Sequence, residues 1–203
     1  MRTSSAKSGL VESKTFVIRD GKQMAALRAA SRQETMDALA SMGCVSVPEL
    51  AAVLGRPPDS LYYHIRILQE VGLVQDAGVR ERDGRKERLF RAVAPNLRLA
   101  YVPGSGGNAE EVTAIIDSML RLTSRNFENA FQNESTVVEG AHRELWAART
   151  IGWLTKDQLV ELNRRITQLL QMMVTSPPRS GDQLFALSVV MTRLQRSKEN
   201  HDA

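Results

Sequence analysis

The side chains best suited to chemistry lie in two short stretches of this 203-residue sequence. Across Pro58 to Gln69, Leu61, Ile65 and Leu68 recur at helical steps. They leave Asp59, Tyr62, Tyr63, Arg66 and Gln69 on the opposite arc, with Pro58 and Ser60 at the N-terminal end. A surface helix usually turns flexible charged groups to water. Adjacent tyrosines beside an arginine stack, donate and accept instead, which is the chemistry of base edges and phosphates. In the second stretch Arg80, Arg82, Arg85, Lys86, Arg88 and Arg91 face only Glu81, Asp83 and Glu87, around an Asp83-Gly84 turn. The result is a cationic finger.

Other chemistries find little footing. No Ser/His/Asp constellation or carboxylate pair stands out, so no catalytic residue is assigned and an enzyme is not expected. Gly104 to Gly107 lacks the Lys-Ser/Thr and the helix spacing of a phosphate-binding loop. His64, His142 and His201 share no ligand spacing and Cys44 is the single cysteine, so neither a metal, another cofactor nor a disulfide framework is expected. Cys44 precedes a helix start, where a thiol can act as a redox sensor. With no second cysteine to resolve it, it reads as a small buried hydrophobe. His64, at the border of the apolar stripe, reads as packed and hydrogen-bonded.

Local signals set the elements that must position these groups. Ser46 opens a helix, Glu49 completes a capping box, Leu50, Ala51, Val53 and Leu54 supply apolar positions, and Gly55 ends it in the left-handed region. Pro57 and Pro58 suit a turn and a first helical turn, so the second helix starts near Pro58. Gly72-Leu73-Val74 then breaks that helix and enters a strand, and Asp83-Gly84 favours a tight hairpin between two strands. Helix, tight turn, helix and basic hairpin are the order of a winged helix-turn-helix.

At this point the sequence resembles a known family. The run Leu54 to Leu68, closing with Gly72-Leu73-Val74, is similar to the winged-helix domain of ArsR-type bacterial transcriptional regulators. Gly84-Arg85-Lys86-Glu87-Arg88-Leu89-Phe90-Arg91 resembles the wing of an ArsR-like subgroup with a C-terminal α/β extension, and Leu27 to Arg32 resembles the segment leading into that domain. The resemblance covers roughly residues 15 to 95 and implies a dimeric DNA-binding regulator. Metal sensing, familiar in that family, is not implied, because the clustered Cys or Cys/His ligands are absent.

Elsewhere the signals are mainly architectural. Residues 1–14 are too polar to fold and read as a disordered tail. Thr15 to Ile18 suits a strand or a docking peptide. Asp20 caps a short helix containing Met24, Ala25, Leu27 and Arg28, and a Ser31 to Glu34 capping box starts another, ended by Gly43. Beyond Ala94-Pro95, Leu97 to Val102 alternates like a strand, and Pro103 to Gly107 is a turn or hinge. A long helix follows from about Asn108 to Gln132. His142 to Ala148 reads as helical, Thr155 and Gln158 cap a further helix ended by Pro177 and Pro178, and Gln183 to Met191 reads as a final strand.

The expected fold is therefore α+β, mainly α. A winged helix-turn-helix domain spans 15–95, and a smaller C-terminal domain of helices with two candidate strands spans 96–195, for dimerisation or an effector. A frayed tail, 196–203, follows. A net charge of +4 leans toward nucleic acid. No apolar run reaches the roughly 20 residues of a membrane span, so no membrane role is expected and the cytoplasm is the natural compartment. The expected partners are double-stranded DNA and a second copy, with a small-molecule effector as a further candidate. The DNA-contact residues expected are Pro58, Ser60, Tyr62, Tyr63, Arg66, Gln69, Arg80, Arg82, Arg85, Lys86 and Arg88. The alternative is a protein-interaction module built on a winged helix that no longer binds DNA.

Overall fold

The computed structural model describes residues 15–174 and 181–194. The expected N-terminal tail, the Pro177-Pro178 helix stop and the C-terminal tail fall outside the described residues. Eleven elements follow in order: β1 (Thr15–Ile18), α1 (Gly21–Leu27), α2 (Ala30–Met42), β2 (Val45–Ser46), α3 (Val47–Leu54), α4 (Pro58–Glu70), β3 (Val74–Arg82), β4 (Arg85–Ala92), β5 (Asn96–Leu99), α5 (Ala109–Phe131) and α6 (Lys156–Val174). The fold is mixed α+β, and its N-terminal part is a winged helix-turn-helix.

Most helix limits follow from local chemistry. Asp20 Oδ1 accepts from the backbone N–H groups of Lys22 and Gln23 at 2.8 and 3.1 Å and starts α1. The expected Ser31 cap is not formed: α2 begins at Ala30, one residue earlier, with Ala29 in the cap position. With the helix starting at Ala30, Ser31 lies inside its first turn and cannot cap it, and the Glu34 carboxylate instead pairs with Arg56 at 2.8 Å. Ser46 and Glu49 do form the box that starts α3, and Gly55 closes α3 at φ 61°, ψ 34°, where a side chain would be strained.

One core holds this part together. Met24, Met36, Leu39, Leu50, Leu61, Ile65, Leu68 and Leu73 are each almost wholly buried in a single cluster. α2, α3 and α4 pack on one another, and β2, β4 and β3, in that order, form an antiparallel sheet beside them. The wing is the β3–β4 hairpin. Its register pairs Arg82 with Arg85, leaving Asp83 and Gly84 at φ 52° and 73° as a two-residue turn of the kind their types favour.

Packing does not stop at residue 95. β1 settles the ambiguity of its sequence by pairing in parallel with β5, Thr15 to Asn96 through Ile18 to Leu99. Ile115 of α5 joins the main core, and the buried Gln33 side chain donates to the Leu27 and Ile115 carbonyls at 2.7 and 3.0 Å. Asn108 braces the link: its amide donates to the Ala100 carbonyl at 2.8 Å and its side-chain oxygen accepts from the Val102 N–H at 2.9 Å. The first half of α5 is thus stitched to α1 and α2.

After α5 the character changes. His142 to Ala148, expected as a helix, has no regular structure, and Gln183 to Met191, expected as a strand, has none either. Only one of the two C-terminal candidate strands exists, as β5. α6 starts where expected, with Thr155 N–H donating to Gln158 Oε1 at 2.9 Å and Gln158 N–H donating to Thr155 Oγ1 at 3.2 Å. No residue of α6 is buried. Among the described residues, no apolar side chain beyond Leu122 is buried.

Candidate nucleic-acid interface

α4 presents the aromatic arc because its other side is locked. Leu61, Ile65 and Leu68 are no more than 1% exposed, whereas Tyr62 and Tyr63 are 50% and 55% exposed. Arg66 lies outward on the same arc, with one ion-pair partner among the described residues, the exposed Glu70 at 3.5 Å. Such a contact contributes little and leaves the guanidinium free to exchange partners. Gln69 is half-buried at the end of the arc and Pro58 is exposed at its start. Ser60 differs from expectation: its hydroxyl donates to the Pro57 carbonyl at 2.8 Å, so that proton is already used.

His64 sits behind Tyr63, the two rings edge to face at 5.5 Å. It is packed as expected, but its Nδ1 is buried with no hydrogen-bond partner among the described residues. Burial, followed by the nearby Arg32 and Arg56 cations, holds its pKa below the ordinary histidine value, with Glu34 opposing.

The wing arginines divide into two groups. Arg80 is held by Glu49 and Glu87, both at 2.8 Å, and Arg88 by Asp76 at 2.6 Å while lying over the Phe90 ring. Arg82 reaches back to Glu49 at 3.3 Å. Arg85 and Lys86, at the exposed tip, have no ion-pair partner within 4 Å among the described residues. Sequence alone counts these cations as one cluster. In the structure Arg80 and Arg88 brace the hairpin, and the tip pair remains available.

Glu49, which sequence reasoning placed only as a cap, also joins α3 to the wing. Its Oε2 accepts from the Ser46 N–H at 2.9 Å and the Ser46 hydroxyl at 3.1 Å, while its Oε1 faces Arg80 and Arg82. Burial raises its pKa, but the Ser46 N–H, Arg80 and the Ser46 hydroxyl outweigh that, so the carboxyl lies below its ordinary value. Nothing local in the sequence signals the contact, which joins residues about thirty apart.

Cys44 is exposed, not buried as expected, because it stands in the short turn between Gly43 and β2. No group of three or more His, Cys, Asp or Glu side chains among the described residues is arranged to hold a metal ion.

Residues 31–76 match a family described as a helix-turn-helix domain, which spans α2 through the start of β3. No curated protein matches the chain. Among solved structures, wild-type apo MarR from E. coli is similar at 15% identity, covering 73% of this chain and 88% of its own, with a TM-score of 0.30. A cysteine-to-serine MarR mutant from E. coli, complexed with operator DNA, is 15% identical over 73% of this chain and 86% of its own, at a TM-score of 0.27. A MarR-family transcriptional regulator from Rhodococcus sp. RHA1 is 15% identical over 76% and 86%, at 0.26. Superpositions this loose do not place any residue of the interface.

Proposed function

We propose that this protein is a DNA-binding transcriptional regulator of the ArsR type that engages double-stranded DNA as a dimer. The observation that carries the reading is α4 itself: Tyr62, Tyr63 and Arg66 are exposed on a helix whose opposite stripe is fixed in the core, beside a cationic hairpin tip. α4 enters the major groove, where these side chains reach base edges, and Gln69 extends the same arc. Arg85 and Lys86 meet phosphates or the adjacent minor groove. Pro58 and Ser60 stand at the helix start, close to the backbone. The wing tip also weighs against the interaction-module alternative, since a hairpin retired from DNA has no need of unpaired cations at its apex.

Exposed apolar surface supports the dimer. Trp146, Trp153, Val160, Leu169, Phe185 and Val190 are among many large apolar side chains left exposed beyond α5. Monomers rarely leave more than a few hundred Å² of contiguous apolar surface bare. A second copy covers it, and the same region is where a small-molecule effector would bind. No helix of the described residues is long and apolar enough to cross a membrane. The test is an electrophoretic shift of the full-length protein on random genomic fragments at low salt. A retarded complex is expected, and its absence at low salt overturns the DNA reading.

A further inference from the structure

The wing hairpin is long, and among the described residues the ion pairs that join it to α3 all run through one carboxylate. Glu49, in the first turn of α3, accepts from Ser46 on one side and from Arg80 and Arg82 of β3 on the other. Arg80 is also shared with Glu87 of β4 at 2.8 Å, so the carboxylate grips both strands of the hairpin, one directly and one through Arg80. Arg82 is more loosely held, at 3.3 Å, and is 56% exposed.

We infer that Glu49 is the positioning residue of the wing: shared between the α3 cap and two wing arginines, it sets the hairpin's angle against α4 and withholds Arg82 from phosphate. The inference rests on the DNA-binding reading. Its physical basis is competition between a fixed carboxylate and a DNA phosphate for one guanidinium. A wing held at a set angle delivers Arg85 and Lys86 to the backbone only when α4 is seated, so it contributes to discrimination as well as affinity.

Glu49→Gln separates this role from capping. The glutamine oxygen still accepts from the Ser46 N–H, as in any Ser-x-x-Gln box, but offers no charge to Arg80 and Arg82. Two duplexes serve as probes, one selected by the wild-type protein from random sequence and one of random sequence. The variant is expected to melt within about 3 °C of wild type. Its slope of log K against log salt on random DNA steepens by about 0.9 for each wing engaged, as Arg82 reaches a phosphate. Its ratio of selected to random affinity falls several-fold, and backbone hydrogen exchange at Arg80 to Glu87 speeds up without DNA. In Glu49→Gln with Arg82→Ala the slope returns to the wild-type value. Wild-type slope and wild-type exchange in the single variant overturn the inference, and a slope that stays steep in the double variant removes Arg82 from it. If the wild-type protein binds neither duplex, the functional reading falls instead, and the exchange result alone decides whether Glu49 holds the wing.

Discussion

Residues 15–122 and 133–194 contrast in what their amphipathic helices achieve. Every buried apolar side chain among the described residues lies in the first region, and none lies in the second. Yet α5 and α6 carry similar apolar stripes. Val112, Ile115 and Leu122 of α5 are buried, Ile115 within the head's core, whereas Leu159, Leu169 and Leu170 of α6 remain exposed. Amphipathic pattern therefore specifies a helix and a face, while the partner depends on what the chain brings alongside. α5 is delivered to α1 and α2 by the β1–β5 pairing and the Asn108 bracket; α6 follows a long irregular segment that delivers it nowhere comparable.

The largest expected effect tests the head. Ile65→Ala should destabilise it by about 2 to 5 kcal/mol, because the cavity opens in a fully buried site. Leu169→Ala in α6 should leave monomer stability almost unchanged in the same denaturant titration. Equal losses would erase the contrast between the regions.

Removal of residues after 132 comes next. A cut after Pro95 would strip β5 and Ile115 from the core, so the informative cut lies beyond α5. The shortened head should still unfold cooperatively, sediment as a monomer and bind its selected duplex about 100-fold more weakly, the lower end of the avidity that linked sites confer. A shortened protein that remains dimeric would place the pairing surface in the head.

Smaller effects lie on the interface. Tyr63→Ala or Arg66→Ala should cost about 1 to 3 kcal/mol on the selected duplex and much less on random DNA, measured by titration of both. Arg85→Ala should flatten the salt slope by nearly 0.9 per wing, and a dimer engages two wings. An unchanged slope would take the tip off the phosphates.

The smallest effect is pH-dependent. Because the Glu49 carboxyl is lowered in the folded protein, its ionised form stabilises the fold above its ordinary value of 4.5. That contribution disappears as pH falls through the depressed value. The stability difference between wild type and Glu49→Gln should therefore be constant at neutral pH and shrink below about 4.5. A difference that persists at the lowest pH would show that Glu49 acts here through shape alone.

Much of the head was legible because its signals are short-range. The Asp20 cap, the Ser46 to Glu49 box, Gly55 and the Asp83-Gly84 turn each act within four residues, and each forms. The stripe of α4 assigned its tyrosines to the outside for the same reason. The Ser31 to Glu34 box does not form because α2 starts at Ala30 and takes Ser31 into its first turn, while Glu34 pairs with Arg56, 22 residues away. Cys44 was misplaced because burial in a two-residue turn depends on neighbours the local sequence does not name.

By itself, the sequence determined the order of helices and strands, the wing turn and the outward arc of α4, since backbone capping, φ preference and helical period are properties of a few consecutive residues. Tertiary structure decided which charges are free and which apolar faces are covered. Arg80 and Arg88 became braces, Arg85 and Lys86 stayed open, β5 and α5 joined the head, and α6 did not. Those outcomes depend on side chains far apart in the chain competing for the same partner, and only the folded backbone determines which of them meet.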